Sequence, residues 1–189
     1  MSLTLMRFKG FSEIYGNEGL GVLVLTTEDE TRQLSIVCDG QTLYQFGLRR
    51  SSSVDSKSLL PEVLWDAISR YTDVTFEIRI TDLRGGEWHV FLYNTSLQQA
   101  IRLRASDAIL LSQIAHLPIY IDTVLMLKQS VPFDERATKV SIPITLITSD
   151  MLKRALEKAI EEEDYEQASH LRDELKRRGE GIEQGEQIK

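Results

Sequence analysis

Arg102, Arg104, Ser106 and Asp107 fall within one run, RLRASDAILLSQIAH, residues 102–116. Arginine offers a planar fork of N–H donors, and the first amides of a helix have no partner inside it. Together they can hold a phosphate. A carboxylate such as Asp107 can take a proton, or help to hold a cation that activates water. Glu62 and Asp66 stand four apart, which puts both on one helical face. Asp107, Glu62 and Arg104 are therefore the candidate catalytic residues. Arg49, Arg50 and Arg102 are the candidate nucleic-acid contacts, because arginine neutralises backbone phosphate.

The same atoms also suit local structure. Serine is a favoured helix N-cap, and an aspartate in the first turn complements the helix dipole. Ser106 is thus predicted to cap a helix, with Arg104 pairing to Asp107. Other chemistry is thinly represented. His89, His116 and His170 are far apart and show no metal-ligand spacing. There is no Gly-rich phosphate loop, no HExxH and no GxSxG. Trp88 is expected on the opposite strand face from Phe91 and Tyr93, so these aromatics do not form one stacking platform. No cofactor is evident from the residues.

Composition narrows the partners. The 189 residues are 42% hydrophobic and 27% charged, with a formal net charge of -7. A generally basic, nucleic-acid-coating surface is excluded, and any such contact must come from a local arginine cluster. No apolar run is long enough to span a bilayer, and the first residues do not read as a leader peptide. The single cysteine, Cys38, cannot form an internal disulfide, which suits a reducing, cytoplasmic setting.

The elements that must position these residues alternate in type. GLGVLVLTTED and RQLSIVCDG read as strands, and DGQTLYQFGLRR has helical spacing. SSSVDSKS, residues 51–58, is expected to be a polar loop. LLPEVLWDAISRY reads as a helix with Pro61 in its first turn, its stripe formed by Val63, Leu64, Ala67, Ile68 and Tyr71. VTFEIRI and EWHVFLYN alternate around Gly85-Gly86, a hairpin signal. AIRLRA follows as a strand with Ile101 and Leu103 inward, then a helix from Ser106, then the short strand LPIYID. Residues 131–144 are expected to be mostly irregular. Strands, hairpins and helices in this order predict an α+β fold with a mixed sheet.

From Asp150 the chain is charged and helical in period. Leu152, Ala155, Leu156, Ala159 and Ile160 form one face; Tyr165, Ala168, Leu171 and Leu175 form another, out of phase across Glu163-Asp164. That predicts a helical hairpin over 150–179, with Asp164 capping its second helix and Gly179 ending it. Residues 180–189 are expected to be a disordered tail. Two helices this short need a docking face, so the hairpin is expected to dock on its own domain, on a copy of itself or on a partner. EEEDYEQASHLRDELKRR resembles the UVR motif of excision-repair nuclease subunits. The resemblance implies a protein-association module with Tyr165, Ala168, Leu171, Arg172 and Leu175 as partner-binding residues. Its partner would be another UVR-motif protein or a second copy.

Arg104, Ser106-Asp107-Ala108-Ile109 and Pro118-Ile119-Tyr120 resemble the signature of the bifunctional nuclease (BFN) family, over roughly residues 1–145. Ala105 stands where the family usually has proline. The family's acid in the helix after the second strand pair aligns with Thr42. Its Thr-His-Asp aligns with Leu60-Pro61-Glu62, which keeps the carboxylate and lacks the histidine. The resemblance implies hydrolysis of DNA or RNA phosphodiesters, with a divalent cation if the chain is a nuclease. The rival is a non-catalytic interaction or regulatory protein on the same fold, and a small-ligand site at the Arg104 helix start is a third reading.

Overall fold

The computed structural model describes residues 2–14, 19–51, 55–134, 149–161 and 163–177. The chain divides into two compact units, a sheet-and-helix body and a helical hairpin. The body contains an eight-stranded sheet. In chain order the strands are β1 (Leu3–Glu13), β2 (Leu20–Thr27), β3 (Arg32–Asp39), β4 (Phe76–Arg84), β5 (Glu87–Asn94), β6 (Gln99–Leu103), β7 (Ile119–Asp122) and β8 (Val131–Pro132). The spatial order is β6-β5-β4-β7-β1-β2-β3-β8. β7 pairs parallel with β4 and antiparallel with β1, which makes the sheet mixed. The fold is α+β, as the alternation of elements predicts.

Leu23, Leu25, Leu34, Ile36, Ile78 and Ile121 are fully buried and form the centre of the core. Helix α1 (Gly40–Arg50) follows β3 directly and lays Phe46 against Phe8 and Phe11 of β1, ring centroids 5.0 and 5.6 Å apart. Its seat on β2 is tight, because a Cβ on Gly21 would lie 2.6 Å from Leu43 Cγ. The Gly85-Gly86 turn forms as expected, with φ of 57° and 81°, values that only glycine adopts without strain.

Several expectations are corrected. β1 is a further strand, ahead of those that the sequence patterns predict. Ile101 was expected inward but is 61% exposed. β6 is the edge strand of the sheet, so neither of its faces is fully covered. Ser106 does not cap helix α3 (Ala105–Ala115). The cap residue is Arg104, and Ser106 is buried as the second helical residue. Within residues 131–144, Val131 and Pro132 pair with β3. Helix α4 (Thr123–Gln129) precedes them, capped by the Asp122 side chain. Positions 135–148, Gly179 and the 180–189 tail lie outside the described residues.

The largest departure concerns helix α2 (Leu60–Tyr71). Its apolar stripe exists, but it faces outward, and no residue of α2 is buried. The helix meets the body through Glu62, which pairs with Arg49, and through Trp65, whose ring meets Phe76 edge-on at 6.1 Å.

The second unit consists of α5 (Ser149–Glu161) and α6 (Tyr165–Arg177). Leu152, Leu156, Ala159, Ala168, Leu171 and Leu175 form its core, with Ala155 packed beside them. Glu163 takes φ 58° between the helices, and the Asp164 amide donates back to the Ala159 carbonyl at 2.8 Å. Ile160 and Tyr165, expected on the apolar faces, are exposed.

Candidate functional site

Two helices begin side by side at one corner of the body. β3 ends at Asp39, whose carboxylate caps α1 by accepting from the Thr42 amide at 2.7 Å. β6 ends at Leu103, and Arg104 follows as the cap residue of α3. Arg104 grips Asp107 with two donors, Nε to Oδ2 at 2.7 Å and Nη2 to Oδ1 at 2.9 Å. Its remaining nitrogen, Nη1, donates to the second oxygen of Asp39 at 3.3 Å. The guanidinium side chain is 65% exposed and both carboxylates are 45% exposed, so the corner is open to solvent.

The electrostatics follow from this geometry. The Thr42 amide, and then the Arg104 charge, hold the Asp39 carboxyl below its ordinary value. Asp107 first, and then Asp39, raise the pKa of Arg104, so it stays charged at any working pH. Cys38 precedes Asp39 on β3. Burial, reinforced by the Asp39 charge, pushes its thiol up to about 12, which rules it out as a thiolate nucleophile near neutral pH.

Asp39 is the site residue that the sequence reading missed. Thr42 was set against the family's acid, yet Thr42 is buried and its amide is bound by Asp39. The carboxylate at this corner comes from three residues upstream. Its signal was present: an aspartate at the end of a strand, immediately before a helical run, is a cap position.

The other candidates are placed elsewhere or already engaged. Glu62 receives Arg49 Nε at 2.6 Å and Nη2 at 2.9 Å, while Arg49 Nη1 donates to the Gln45 carbonyl and side chain. The pair is largely buried, with side chains 12% and 16% exposed. Arg49 is therefore not presented to a phosphate as expected, and both oxygens of Glu62 are engaged by its partner. Asp66 is held by Arg70, so Glu62 and Asp66 do not converge. Arg50 and Arg102 lie at the surface, Arg102 on β6 opposite Phe91. His89 lies on β5, His116 ends α3 in the left-handed region and His170 lies on α6. Among the described residues no three of His, Cys, Asp or Glu stand where they could share a metal ion. Each oxygen of Asp39, Asp107 and Glu62 faces an amide or a guanidinium, which does not fit a resident cation.

In the hairpin, Ala168, Leu171 and Leu175 pack in its own core. Tyr165 and Arg172 remain at the surface. Glu174, which the sequence did not single out, is buried and held by two donors of Arg177, at 2.8 and 2.7 Å.

The family model described as the bifunctional nuclease domain matches residues 23–134, more than half of the chain. The chain belongs to the bifunctional nuclease domain family. The model for the UvrB/uvrC motif matches residues 151–177, so the BFN domain is followed by a UVR motif. The chain has no significant match among curated proteins. Asp39, Arg104 and Asp107 all lie inside the BFN match, while β1 lies outside it yet pairs with β2 and β7 in the same sheet. Among the described residues no helix is long and apolar enough to cross a membrane.

Proposed function

We propose that this BFN-family chain acts on DNA or RNA phosphodiesters at the Asp39–Arg104–Asp107 corner, and that its UVR hairpin associates with another protein. The observation that carries this reading is Arg104, an exposed fork of donors at a helix start, bracketed by two carboxylates. Guanidinium binds phosphate with the same two-donor geometry that it uses for a carboxylate. A phosphodiester arriving at the corner exchanges with Asp107 on Arg104. The released Asp107, or Asp39 beside it, then accepts a proton from the water that attacks phosphorus, and the P–O bond to the leaving oxygen breaks. No step is assigned to a metal, because the carboxylates do not form a cage for one. A cation that enters with the substrate is an arm of the test. The reading places the protein in a bacterial cytoplasm, where a buried Cys38 stays reduced.

A second reading rests on the closed Arg49–Glu62 pair. With that acid committed, the chain is a non-catalytic regulatory protein that kept the BFN fold. One experiment separates the two. Purified protein is incubated with single- and double-stranded DNA and RNA, with Mg²⁺, Mn²⁺ or chelator. Wild type is compared with Arg104→Ala, Asp107→Ala and Asp39→Asn. Cleavage by wild type that falls at least ~100-fold in Arg104→Ala and Asp107→Ala, the size of one lost acid–base or charge-stabilising group, supports the enzyme. The same background in all four proteins selects the regulatory reading.

A further inference from the structure

Helix α2 is mounted with its apolar stripe toward solvent. Leu60, Val63, Leu64, Ile68 and Tyr71 are 69%, 48%, 54%, 41% and 84% exposed. Together they present on the order of 600 Å² of surface, at the top of the range for the largest apolar patch on a monomer. That is most of the ~800 Å² that each partner contributes to a standard protein interface. The side that meets the body is the one carrying Glu62 and Trp65, and the Arg49 ion pair fixes this orientation. The outward stripe is thus built into the mounting of the helix.

We propose that α2 is the seam through which two copies of this chain associate, as an antiparallel helix pair about a two-fold axis. The pattern on the helix is self-complementary. A two-fold contact uses the same patch twice, so an apolar stripe meets an apolar stripe. Ala67, the small residue in mid-stripe, is exposed and lets two helix axes approach closely. Asp66 and Arg70 flank the stripe on one side and bond to each other within one chain, both well exposed. Antiparallel pairing brings this flank of each copy together with its direction reversed. Asp66 of one copy then meets Arg70 of the second, and the reverse contact forms by symmetry. Parallel pairing would place this flank beside the opposite flank of the second copy, so Asp66 and Arg70 would not meet across the seam. The proposal is independent of catalysis at the Arg104 corner and of the hairpin.

The test is sedimentation equilibrium of the full chain across a wide concentration range. Leu64→Glu changes an exposed position to a good helix former, and circular dichroism confirms that the fold is kept. We expect it to weaken self-association at least tenfold. Asp66→Arg and Arg70→Asp singly weaken it, and the double exchange restores it. Leu127→Glu, at an exposed position of α4 with no role in the seam or the hairpin, leaves the dimer unchanged. A monomeric wild type, an unchanged dissociation constant in Leu64→Glu, or failure of the double exchange to restore association overturns the proposal. So does loss of association in Tyr165→Asp alone, which would move the contact to the hairpin.

Discussion

Arg49 and Arg104 each hold a carboxylate through two N–H donors, but the Arg49 pair is largely buried and the Arg104 pair is open to solvent. An exposed pair contributes little to stability and exchanges partners readily, whereas removing one member of a buried pair strands the other charge. Glu62→Ala is therefore expected to cost about 3 kcal/mol in urea unfolding. The double change Arg49→Met with Glu62→Leu recovers most of that loss, because no buried charge is left behind. Equal losses in the single and double variants would show that the pair is not coupled. Asp39 gives a pH signature. Its folded-state pKa is depressed, so its contribution is present above the ordinary value of 3.8 and is lost as pH falls through the folded value. Asp39→Asn keeps a good cap and removes the charge. Wild-type stability is expected to fall more steeply than that of Asp39→Asn in acid, and the two unfolding curves to converge there. Parallel curves at every pH would contradict the role given to the carboxylate.

At the scale of elements, α1 shows how a strand glycine fixes where a helix lies. Gly21 leaves room for Leu43, and the aromatic contacts of Phe46 depend on that depth. Gly21→Ala is expected to destabilise the body by about 1–3 kcal/mol through overpacking. Adding Leu43→Ala should return part of the loss, a non-additivity that a denaturant-based mutant cycle detects. Types of element were mostly legible because local periodicity encodes them: α1, α2, the β4–β5 hairpin and both hairpin helices follow from spacing and glycine placement. What each face meets was less legible. The stripe of α2 could be read from Val63, Leu64 and Ile68, but periodicity does not say whether a stripe turns inward or outward. That choice came from one ion pair between residues 13 positions apart. The cap of α3 was read two positions late for a similar reason. Ser106 has the better capping side chain, but packing buries it and leaves Arg104 at the boundary.

At the scale of the molecule, the α+β class, the BFN domain and the UVR motif could be read from residue order and short signatures. The candidate site was half legible: Arg104 and Asp107 are three residues apart, whereas Asp39 reaches them only through the fold, 65 residues upstream of Arg104. The order of strands across the sheet is likewise nonlocal. β7 is four residues long and lies between β4 and β1, so within the sheet it joins the β1–β2–β3 group to the β4–β5–β6 group. A chain made from its N-terminus thus produces both halves of the sheet before the strand that joins them. Until residues 119–122 leave the ribosome, β1 and β4 each present an unpaired edge, the kind of edge that recruits strands from other chains. Four residues late in the domain thereby set the earliest moment at which the two groups of strands can join.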